Sequence, residues 1–194
     1  MRSSEDTESM AEVRRRPELQ WRHTLGDGTS VLVRPIRASD AALERQFIEH
    51  MSAESSRFRF LGTIKSPSPQ FLAQLTHPEK TRGVAFIALL GDGANTQEIG
   101  VSRYSASADG LECECAVVVS DEWQGKGLAT ILMRHLIDTA RARGIKRMYS
   151  IDANENGRMR KLAEQLGFQR RPYPDDPTLV LHSLDLTTET RNHQ

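Results

Sequence analysis

The sequence predicts a single α+β domain, with helices on both faces of a mixed sheet. The 194 residues are enough for one ordinary domain with a core of its own and too few for two. Short apolar runs separated by turns occur through residues 30–119 and indicate neighbouring strands. A strand–helix–strand unit then covers residues 112–151, and such a unit places two strands in parallel.

Before residue 76 the pattern predicts one strand, at the apolar run 30–34, and two helices. Ser39 or Asp40 is suited to cap the first helix, because either side chain can accept a hydrogen bond from a first-turn amide. The next stretch, 52–61, is polar and aromatic, and no helix or strand is predicted there. Serine and proline at 68–69 occupy the N-cap and first position of the second helix. The apolar residues of the two helices are Ala41, Leu43, Phe47 and Met51, and Phe71, Leu72 and Leu75.

Three further strands are predicted in the middle of the chain. They are the apolar runs at 84–90, 99–104 and 112–119. Glycine and aspartate at 91–93 and 109–110 mark the turns between them. Because these turns are short, the strands are expected to lie side by side.

The second half of the chain predicts two amphipathic helices, each ended by a glycine. The longer helix stops at Gly144, and its apolar residues recur at helical spacing. A strand at 147–151 precedes the second helix, which ends at Gly167, and the run at 179–186 predicts a last strand. The apolar stripes are Leu128, Ile131, Leu132, His135, Leu136 and Ala140, and Met159, Leu162, Ala163 and Leu166.

The two ends of the chain lack the patterns of a folded segment. Residues 1–20 and 187–194 are polar, which predicts flexible tails around a domain at 21–186. The formal net charge is zero, so no overall field attracts nucleic acid. No stretch has the length of a transmembrane helix or the character of a secretory signal, so we expect a cytoplasmic protein without a membrane partner. The oligomeric state stays open.

The two cysteines of the chain, Cys113 and Cys115, lie two positions apart in a predicted strand. They therefore share a face at a spacing of about 6.6 Å, which is too far for an easy disulfide bond. A single C-x-C without a second pair is a weak metal pattern, so no metal site is predicted. Two free thiols fit a reducing cytoplasm.

The strand at 112–119 leads through polar residues into a glycine-rich turn and directly into a long helix. Gly125 and Gly127 allow the backbone to approach a ligand closely. The first amides of the helix have no partners within it, and the helix dipole adds positive potential there. The turn is therefore a candidate phosphate site, although the same glycines could merely shape a turn between strand and helix.

Two other phosphate-binding motifs do not fit this turn. A Walker A motif is excluded, because Lys126 is followed by glycine and not by serine or threonine. The dinucleotide-binding fingerprint is disfavoured, because Thr130 replaces its third glycine and polar residues separate the strand from the turn. Too few residues follow for the second half of such a fold.

The stretch 124–129, Gln-Gly-Lys-Gly-Leu-Ala, resembles the Q/R-x-x-G-x-G/A signature of the GNAT superfamily of acyl-CoA-dependent N-acetyltransferases. A second family-like element at 156–168 lies at the expected distance, and the strand at 33–36 before Asp40 is also usual for the superfamily. Together these elements cover most of the chain between the tails. The resemblance implies a GNAT-like α+β fold: a mixed, mostly antiparallel sheet, helices on both faces and a splayed central pair of strands.

Within the superfamily the chain is most similar to the catalytic domain of bacterial Pat-type protein lysine acetyltransferases, which modify acyl-CoA synthetases. The matching stretches are 52–60, 100–104, the strand of Glu114 with 121–124, and 140–147. The resemblance implies acetyl-CoA as the cofactor and a protein lysine as the acceptor, with an acyl-CoA synthetase as the expected target. A small-molecule amine stays open as the acceptor, and so does a non-catalytic acyl-CoA sensor.

The resemblance also implies how the cofactor is held. The backbone of two strand residues would pair with the pantetheine arm, and an N–H near Val119 would polarise the thioester carbonyl. The amides of the turn would hold the pyrophosphate, and one residue of the second helix would contact the cofactor. The acyl group would lie between the strands of Val119 and Ser150. The implied contacts are Val117 and Val119 on the strand, Gln124, Gly125, Lys126, Gly127, Leu128, Ala129 and Thr130 at the turn, and Asn156 on the second helix.

Glu114 matches the carboxylate that Pat-type enzymes use as general base. A free lysine amine has a pKa of about 10.4, so neutralising it near pH 7.4 costs roughly 4 kcal/mol. A partly buried carboxylate can take that proton, directly or through water. Strand alternation places Glu112 on the same face, so Glu112 stays a candidate substitute.

Two positions depart from the family pattern. Ala163 stands where many GNAT members carry a tyrosine general acid, which Pat-type members also often lack. Cys115 stands where an aromatic residue is common, and nothing in the sequence explains that change. Residues 57–60 either border the acceptor entrance or pack a loop, and His135 is expected to lie on a helix face without a catalytic role.

Overall fold

The computed structural model describes residues 19–61, 66–79 and 82–188. Most of each predicted tail, residues 1–18 and 189–194, lies outside this range. The described strands are Trp21–Thr24 (β1), Ser30–Pro35 (β2), Gly83–Leu90 (β3), Gln97–Ala106 (β4), Glu112–Val119 (β5), Arg147–Ala153 (β6), Gln169–Pro172 (β7) and Leu179–Asp185 (β8). The described α-helices are Ala41–Glu49 (α1), Ala53–Phe60 (α2), Pro69–Thr76 (α3), Leu128–Ala142 (α4) and Gly157–Gln165 (α5).

The strands form one sheet in the order β1-β2-β3-β4-β5-β6-β8-β7. All neighbouring strands are antiparallel except β5 and β6. This arrangement confirms the predicted mixed, mostly antiparallel sheet. α4 connects β5 to β6, and a crossover of this kind is what two parallel neighbours require.

α4 packs one face of the sheet and forms the larger core. The centre of the predicted stripe is confirmed, but Ile131 and His135 lie half-buried at its edge, while Met133 and Ile137 take core positions. Ala163 of α5 joins the same core. The buried residues of α4 are Leu128, Leu132, Met133, Leu136, Ile137 and Ala140.

The opposite face of the sheet is covered by α1 and α3. Phe47, Ile48 and Leu72 pack there against strand residues that include Ile87 and Val101. Helices on both faces are thus confirmed. As predicted, the side chain of serine 68 caps α3, since it accepts a hydrogen bond from a first-turn amide at 3.1 Å.

The cap of α1 differs from the prediction. Asp40 occupies the N-cap position, but its side chain makes no capping bond. Its carboxylate instead accepts two hydrogen bonds from the Arg34 guanidinium, at 2.7 and 2.8 Å, and one from the Arg37 N–H at 2.7 Å. Burial opposes ionisation, but these hydrogen bonds outweigh it and lower the pKa of Asp40. α1 ends at Glu49, before Met51, which was expected to belong to it.

Two strands and one helix lie where no element was predicted. α2 occupies most of the stretch 52–61, and Ser52 caps it by accepting a hydrogen bond from the Ser55 N–H at 3.1 Å. β1 and β7 are four-residue strands at the two edges of the sheet. β1 is held onto α4 by aromatic contacts: the ring of His135 stacks on Trp21 at 4.1 Å, and its Nε2 lies 2.8 Å from Nε2 of His23.

Within the described ranges, no helix is long and apolar enough to cross a membrane. The same residues contain no group of three His, Cys, Asp or Glu side chains placed to hold a metal ion. Cys113 and Cys115 are free thiols buried in the core beneath α4. Burial raises the pKa of Cys113 to about 12 and that of Cys115 well above its usual value, so neither thiol is poised to react.

Candidate active site

β5 and β6 separate at the centre of the sheet. Their three paired positions are Glu112 with Arg147, Cys113 with Met148, and Glu114 with Tyr149. Beyond Glu114, β5 continues to Val119 with β4 as its partner, while β6 pairs with β8. The predicted splay of the central strands is therefore confirmed, and it opens a gap in the sheet.

Part of the backbone of β5 faces this gap. The Ser120 N–H donates to the Ile99 carbonyl of β4 at 3.0 Å. Because peptide groups alternate between the two edges of a strand, those of Val117 and Val119 point away from β4 and into the gap. The Val119 carbonyl already accepts a hydrogen bond from the Gln124 side chain at 3.1 Å. The N–H of Val119 and the N–H and carbonyl of Val117 are therefore the backbone groups suited to bind an extended ligand arm.

The turn after β5 has the backbone conformation that its glycines allow. Gly125 and Gly127 have φ angles of 75° and 85°, in the left-handed region. A Cβ atom at either position would meet nothing within 4 Å, so the requirement is for conformation and not for space. Gly127 is the N-cap of α4 and has no side chain with which to bond the first-turn amides. Those amides are therefore available to an anion.

Gln124 and Asp121 fasten this turn to α2. Besides the Val119 carbonyl, the Gln124 amide group donates to the Ser55 hydroxyl at 3.2 Å. The Asp121 carboxylate accepts from the Ser55 hydroxyl at 2.7 Å and from the backbone N–H of Ser52 at 3.0 Å. Burial opposes ionisation of Asp121, but these hydrogen bonds outweigh it and lower its pKa. The turn and α2 consequently form one braced unit.

The side chain of Lys126 points away from the space that the other implied residues surround. Its ammonium lies 3.0 Å from the Asp27 carboxylate and 4.3 Å from the centre of the Trp123 ring. Hydrogen bonds from Thr29 and then the Lys126 ammonium lower the pKa of Asp27 to about 2. The sequence had placed Lys126 along the cofactor turn. In the structure Lys126 belongs to that turn, and its side chain ties the turn to the β1–β2 connection.

A cavity of about 860 Å³ passes through the gap between β5 and β6. α2 borders it on one face of the sheet, and the first turns of α4 and α5 border it on the other. Its volume is within the range of about 300–1,000 Å³ that is usual for ligand sites. Except for Lys126, all the implied cofactor residues line it: Val117, Val119, Gln124, Gly125, Gly127, Leu128, Ala129, Thr130 and Asn156.

α5 contributes its N-terminus and one side to this cavity. The Asn156 side chain caps the helix by accepting a hydrogen bond from the Met159 N–H at 3.0 Å. Ala163, at the position of the family tyrosine, is 1% exposed and faces the core. Among the described residues, no tyrosine lines the cavity. A tyrosine general acid is therefore absent from the described wall of this site.

Glu114 and Glu112 share a strand face but differ in their surroundings. Glu114 is exposed and lines the cavity at the point where the strands separate. The Glu112 carboxylate instead accepts a hydrogen bond from Arg147 at 2.8 Å, and Glu112 does not line the cavity. This ion pair raises the pKa of Arg147. The geometry thus favours Glu114 over Glu112 as the carboxylate that can meet a ligand.

Residues 57–60 lie in α2 and make contacts of two kinds. Phe58, Arg59 and Phe60 line the cavity from α2. Phe60 also packs edge-on against Phe71 of α3, with ring centres 5.9 Å apart. Arg59 is half-buried, and its burial and the nearby Arg103 lower its pKa. A guanidinium nevertheless keeps its proton at neutral pH, so Arg59 brings a positive charge to the cavity.

Sequence reasoning missed a polar cluster on the β6 side of the gap. Asp152 lines the cavity, and its carboxylate accepts hydrogen bonds from the Ser150 hydroxyl at 2.6 Å and from Nδ1 of His182 at 2.9 Å. Ser150 and His182 are both 2% exposed. Ser150 and Asp152 are two apart on one strand, which was a usable signal. His182 lies 30 residues from Asp152, and no sequence pattern links the two.

Two ion pairs cross from α2 to the start of α5. Arg57 of α2 pairs with Glu155, and Glu54 pairs with Arg158 at 3.2 Å. All four side chains are at least half exposed, so each pair adds little to stability, about 0–1 kcal/mol. Their positions link the two walls of the cavity at its surface.

The comparisons with known proteins all identify the same family. The acetyltransferase (GNAT) family matches residues 45–168. An acetyltransferase of Pseudomonas aeruginosa is 46% identical over 166 residues, which cover 86% of this chain and 89% of that protein. Among solved structures, the GNAT domain of PAT from S. lividans is 28% identical with a TM-score of 0.77, over 86% of this chain and 96% of that one.

A second solved structure shares the fold at lower identity. A cAMP-binding acyltransferase from Mycobacterium smegmatis is 22% identical with a TM-score of 0.60. The match covers 87% of this chain but 48% of that protein, and at this identity it shows the fold alone. GNAT proteins in general use acetyl-CoA and act on an acceptor substrate. From the family match and the relative that is 46% identical, this chain belongs to the GNAT family of acetyltransferases and is an N-acetyltransferase.

Proposed function

We propose that this chain transfers the acetyl group of acetyl-CoA to the ε-amine of a protein lysine, with Glu114 as the general base and an acyl-CoA synthetase as the leading acceptor. The observation that carries the proposal is the position of Glu114, inside the cavity and at the point where β5 and β6 separate. The resemblance to Pat-type protein lysine acetyltransferases supports the choice of a protein acceptor, and the GNAT domain of S. lividans PAT matches 86% of this chain.

The described residues fit acetyl-CoA. The first-turn amides of α4, at the positive end of its dipole, suit a pyrophosphate. The N–H and carbonyl groups of Val117 suit the pantetheine arm, because they face the gap without a strand partner. When bound, acetyl-CoA supplies the acetyl group as a thioester. The Val119 N–H, which the gap leaves free, is the donor we assign to the thioester carbonyl oxygen.

Glu114 has to remove a proton before the amine can attack. At about pH 7.4, deprotonating a lysine ammonium costs roughly 4 kcal/mol. Glu114 takes this proton, directly or through water, and the amine nitrogen then forms a bond to the carbonyl carbon while the carbon–sulfur bond breaks. No tyrosine among the described residues lines the cavity, so the thiolate that leaves takes its proton from solvent or from another group. The products are the acetylated amine and CoA.

The experiment that tests this proposal follows acetylation by intact mass. The purified protein is mixed with acetyl-CoA and an acyl-CoA synthetase, in parallel with Glu114→Gln and with a panel of small amines. The proposal expects one acetyl group on a synthetase lysine, and no acetylation with the variant. Acetylation of a small amine without any change in the synthetase would overturn the protein acceptor but keep the base. If the protein binds acetyl-CoA but transfers the acetyl group to no acceptor, the proposed function is wrong and the protein is an acyl-CoA sensor.

A further inference from the structure

A second, smaller cavity reaches Glu114, and no residue of the cofactor turn lines it. Its volume is about 360 Å³, at the low end of the range for ligand sites. It shares four lining residues with the larger cavity: Arg59, Glu114, Cys115 and Ala116. The two cavities therefore meet at the candidate base. If the larger one holds acetyl-CoA, the smaller one gives the acceptor a separate approach to the same carboxylate.

The walls of the smaller cavity come from the end of α3, the start of β3 and the end of β4. Leu75, Pro78 and Ala85 provide an apolar surface. Gln74, His77 and Glu79 are exposed polar residues on its lining. The apolar part of the lining of this passage suits the methylene stem of a narrow aliphatic chain.

Ser105 marks the floor of this passage next to the base. It is paired with Gly83 on one side and with Glu114 on the other. Paired residues of neighbouring strands share a face, so Ser105 lies on the same side of the sheet as Glu114. Ser105 is exposed, and it lines the smaller cavity but not the larger one. A larger side chain at this position would consequently fill the passage beside Glu114 without entering the cofactor site.

The charges at the inner end of the passage favour a neutral amine. The Arg103 guanidinium donates to the Glu44 carboxylate at 2.9 Å and to the Leu75 carbonyl at 3.1 Å, so its charge is balanced and fixed. Arg59 lines both cavities beside Glu114 and adds a second guanidinium. Because Glu44 balances the charge of Arg103, Arg59 is the cation that acts near Glu114. Its charge offsets part of the attraction that the Glu114 carboxylate exerts on an ammonium, which favours the neutral amine at this place.

We infer that the smaller cavity is the acceptor channel and that it takes a primary amine on an unbranched aliphatic chain. This inference rests on the proposed function, because it needs Glu114 to act on an amine. The side chain of a protein lysine and a free linear diamine share this chemistry. The aliphatic stem lies along Leu75 and Ala85, and its amine reaches Glu114 beside Arg59.

Two variants that block the channel from different elements test this assignment. Ser105→Phe fills the floor of the passage, and Gln74→Trp narrows it from α3. Ser183→Phe on β8 is the matched control, because it adds the same ring to a strand residue that lines neither cavity. Binding of acetyl-CoA is measured by calorimetry, and kcat and KM are measured with a lysine-containing protein or peptide and with a linear diamine.

We expect kcat/KM for the amine to fall at least about tenfold in both channel variants, mainly through KM, while acetyl-CoA affinity stays within about twofold. In the control variant Ser183→Phe, kcat/KM for the amine and the affinity for acetyl-CoA should both stay unchanged. If kcat/KM falls with the peptide alone, or with the diamine alone, the affected substrate is the one that uses the channel. Unchanged kcat/KM in Ser105→Phe and Gln74→Trp would overturn the channel while leaving the proposed function intact. An unaltered protein that acetylates no amine would instead refute the proposed function before any variant is compared.

Discussion

Glu114 and Tyr149 form the last pair of the parallel ladder between β5 and β6. Partial burial, and then the nearby carboxylates of Glu114 and Glu112, raise the pKa of Tyr149. The tyrosine therefore stays protonated at neutral pH. Beyond this pair the strands diverge, so the candidate base stands where the sheet opens to a ligand.

Gly127→Ala should weaken acetyl-CoA binding as well as stability. Its φ of 85° is a conformation that costs an alanine about 1–2 kcal/mol. Relaxing that strain moves the first amides of α4, so we expect an affinity loss of about tenfold by calorimetry. Gly110→Ala is the control, because Gly110 has a φ of 70° in a turn remote from the cavity. Equal loss of affinity in both variants would contradict the assignment of these amides.

His135 should make stability depend on pH. Burial, and then the neighbouring His23, lower the pKa of His135 from its usual 6.5. The unfolded chain therefore binds a proton that the folded chain does not, and the stability of the folded state falls as the pH drops below about 6.5. Nearby Asp138 partly offsets this effect. Urea unfolding at pH 7.5 and 5.5 measures how much the free energy of unfolding falls between these two pH values. This fall should be smaller in His135→Gln than in the unaltered protein, and an equal fall in both would refute the role of this histidine.

Glu98→Gln should stabilise the protein at neutral pH. Glu98 is 2% exposed, and burial together with the nearby Glu44 raises its pKa well above the usual value. The folded state therefore retains a proton that the unfolded chain releases, so stability is lost as the pH rises above about 4.5. We expect a gain of about 1–3 kcal/mol at pH 7 that shrinks near pH 4. Glu164 is exposed, so the control variant Glu164→Gln should change the free energy of unfolding by less than about 0.5 kcal/mol. If Glu98→Gln stabilises the protein no more than this control does, the explanation for Glu98 is wrong.

Patterns local to the chain predicted much of the fold and the frame of the site. The centre of the α4 stripe, the serine and proline at 68–69 and the strand 112–119 each depend on neighbours in sequence, and the structure confirms them. α2 was missed because its aromatic residues, Phe58 and Phe60, alternate at a spacing that no helical stripe uses. β1 is only four residues long, so it offers too short a pattern.

The contacts that escaped prediction join distant segments. His23 and His135 are 112 residues apart, and the Lys126 ammonium reaches the Asp27 carboxylate across 99 residues. Neither pair follows from helix or strand periodicity. For the same reason the smaller cavity could not be foreseen, because it needs the end of α3 to lie beside β4 and Glu114. The residues of the turn were identifiable, whereas the direction of the Lys126 side chain depended on these long-range contacts.

If Glu114 removes the proton of the acceptor amine, the variants Glu114→Gln and Glu112→Gln should differ sharply in their rate of acetyl transfer. The two carboxylates share a face of β5, but Glu112 is paired with Arg147 and lines neither cavity. With acetyl-CoA binding unchanged by calorimetry, we predict that kcat falls by about 10²–10⁴-fold in Glu114→Gln and by less than about threefold in Glu112→Gln. Transfer at the unaltered rate by Glu114→Gln would contradict the account.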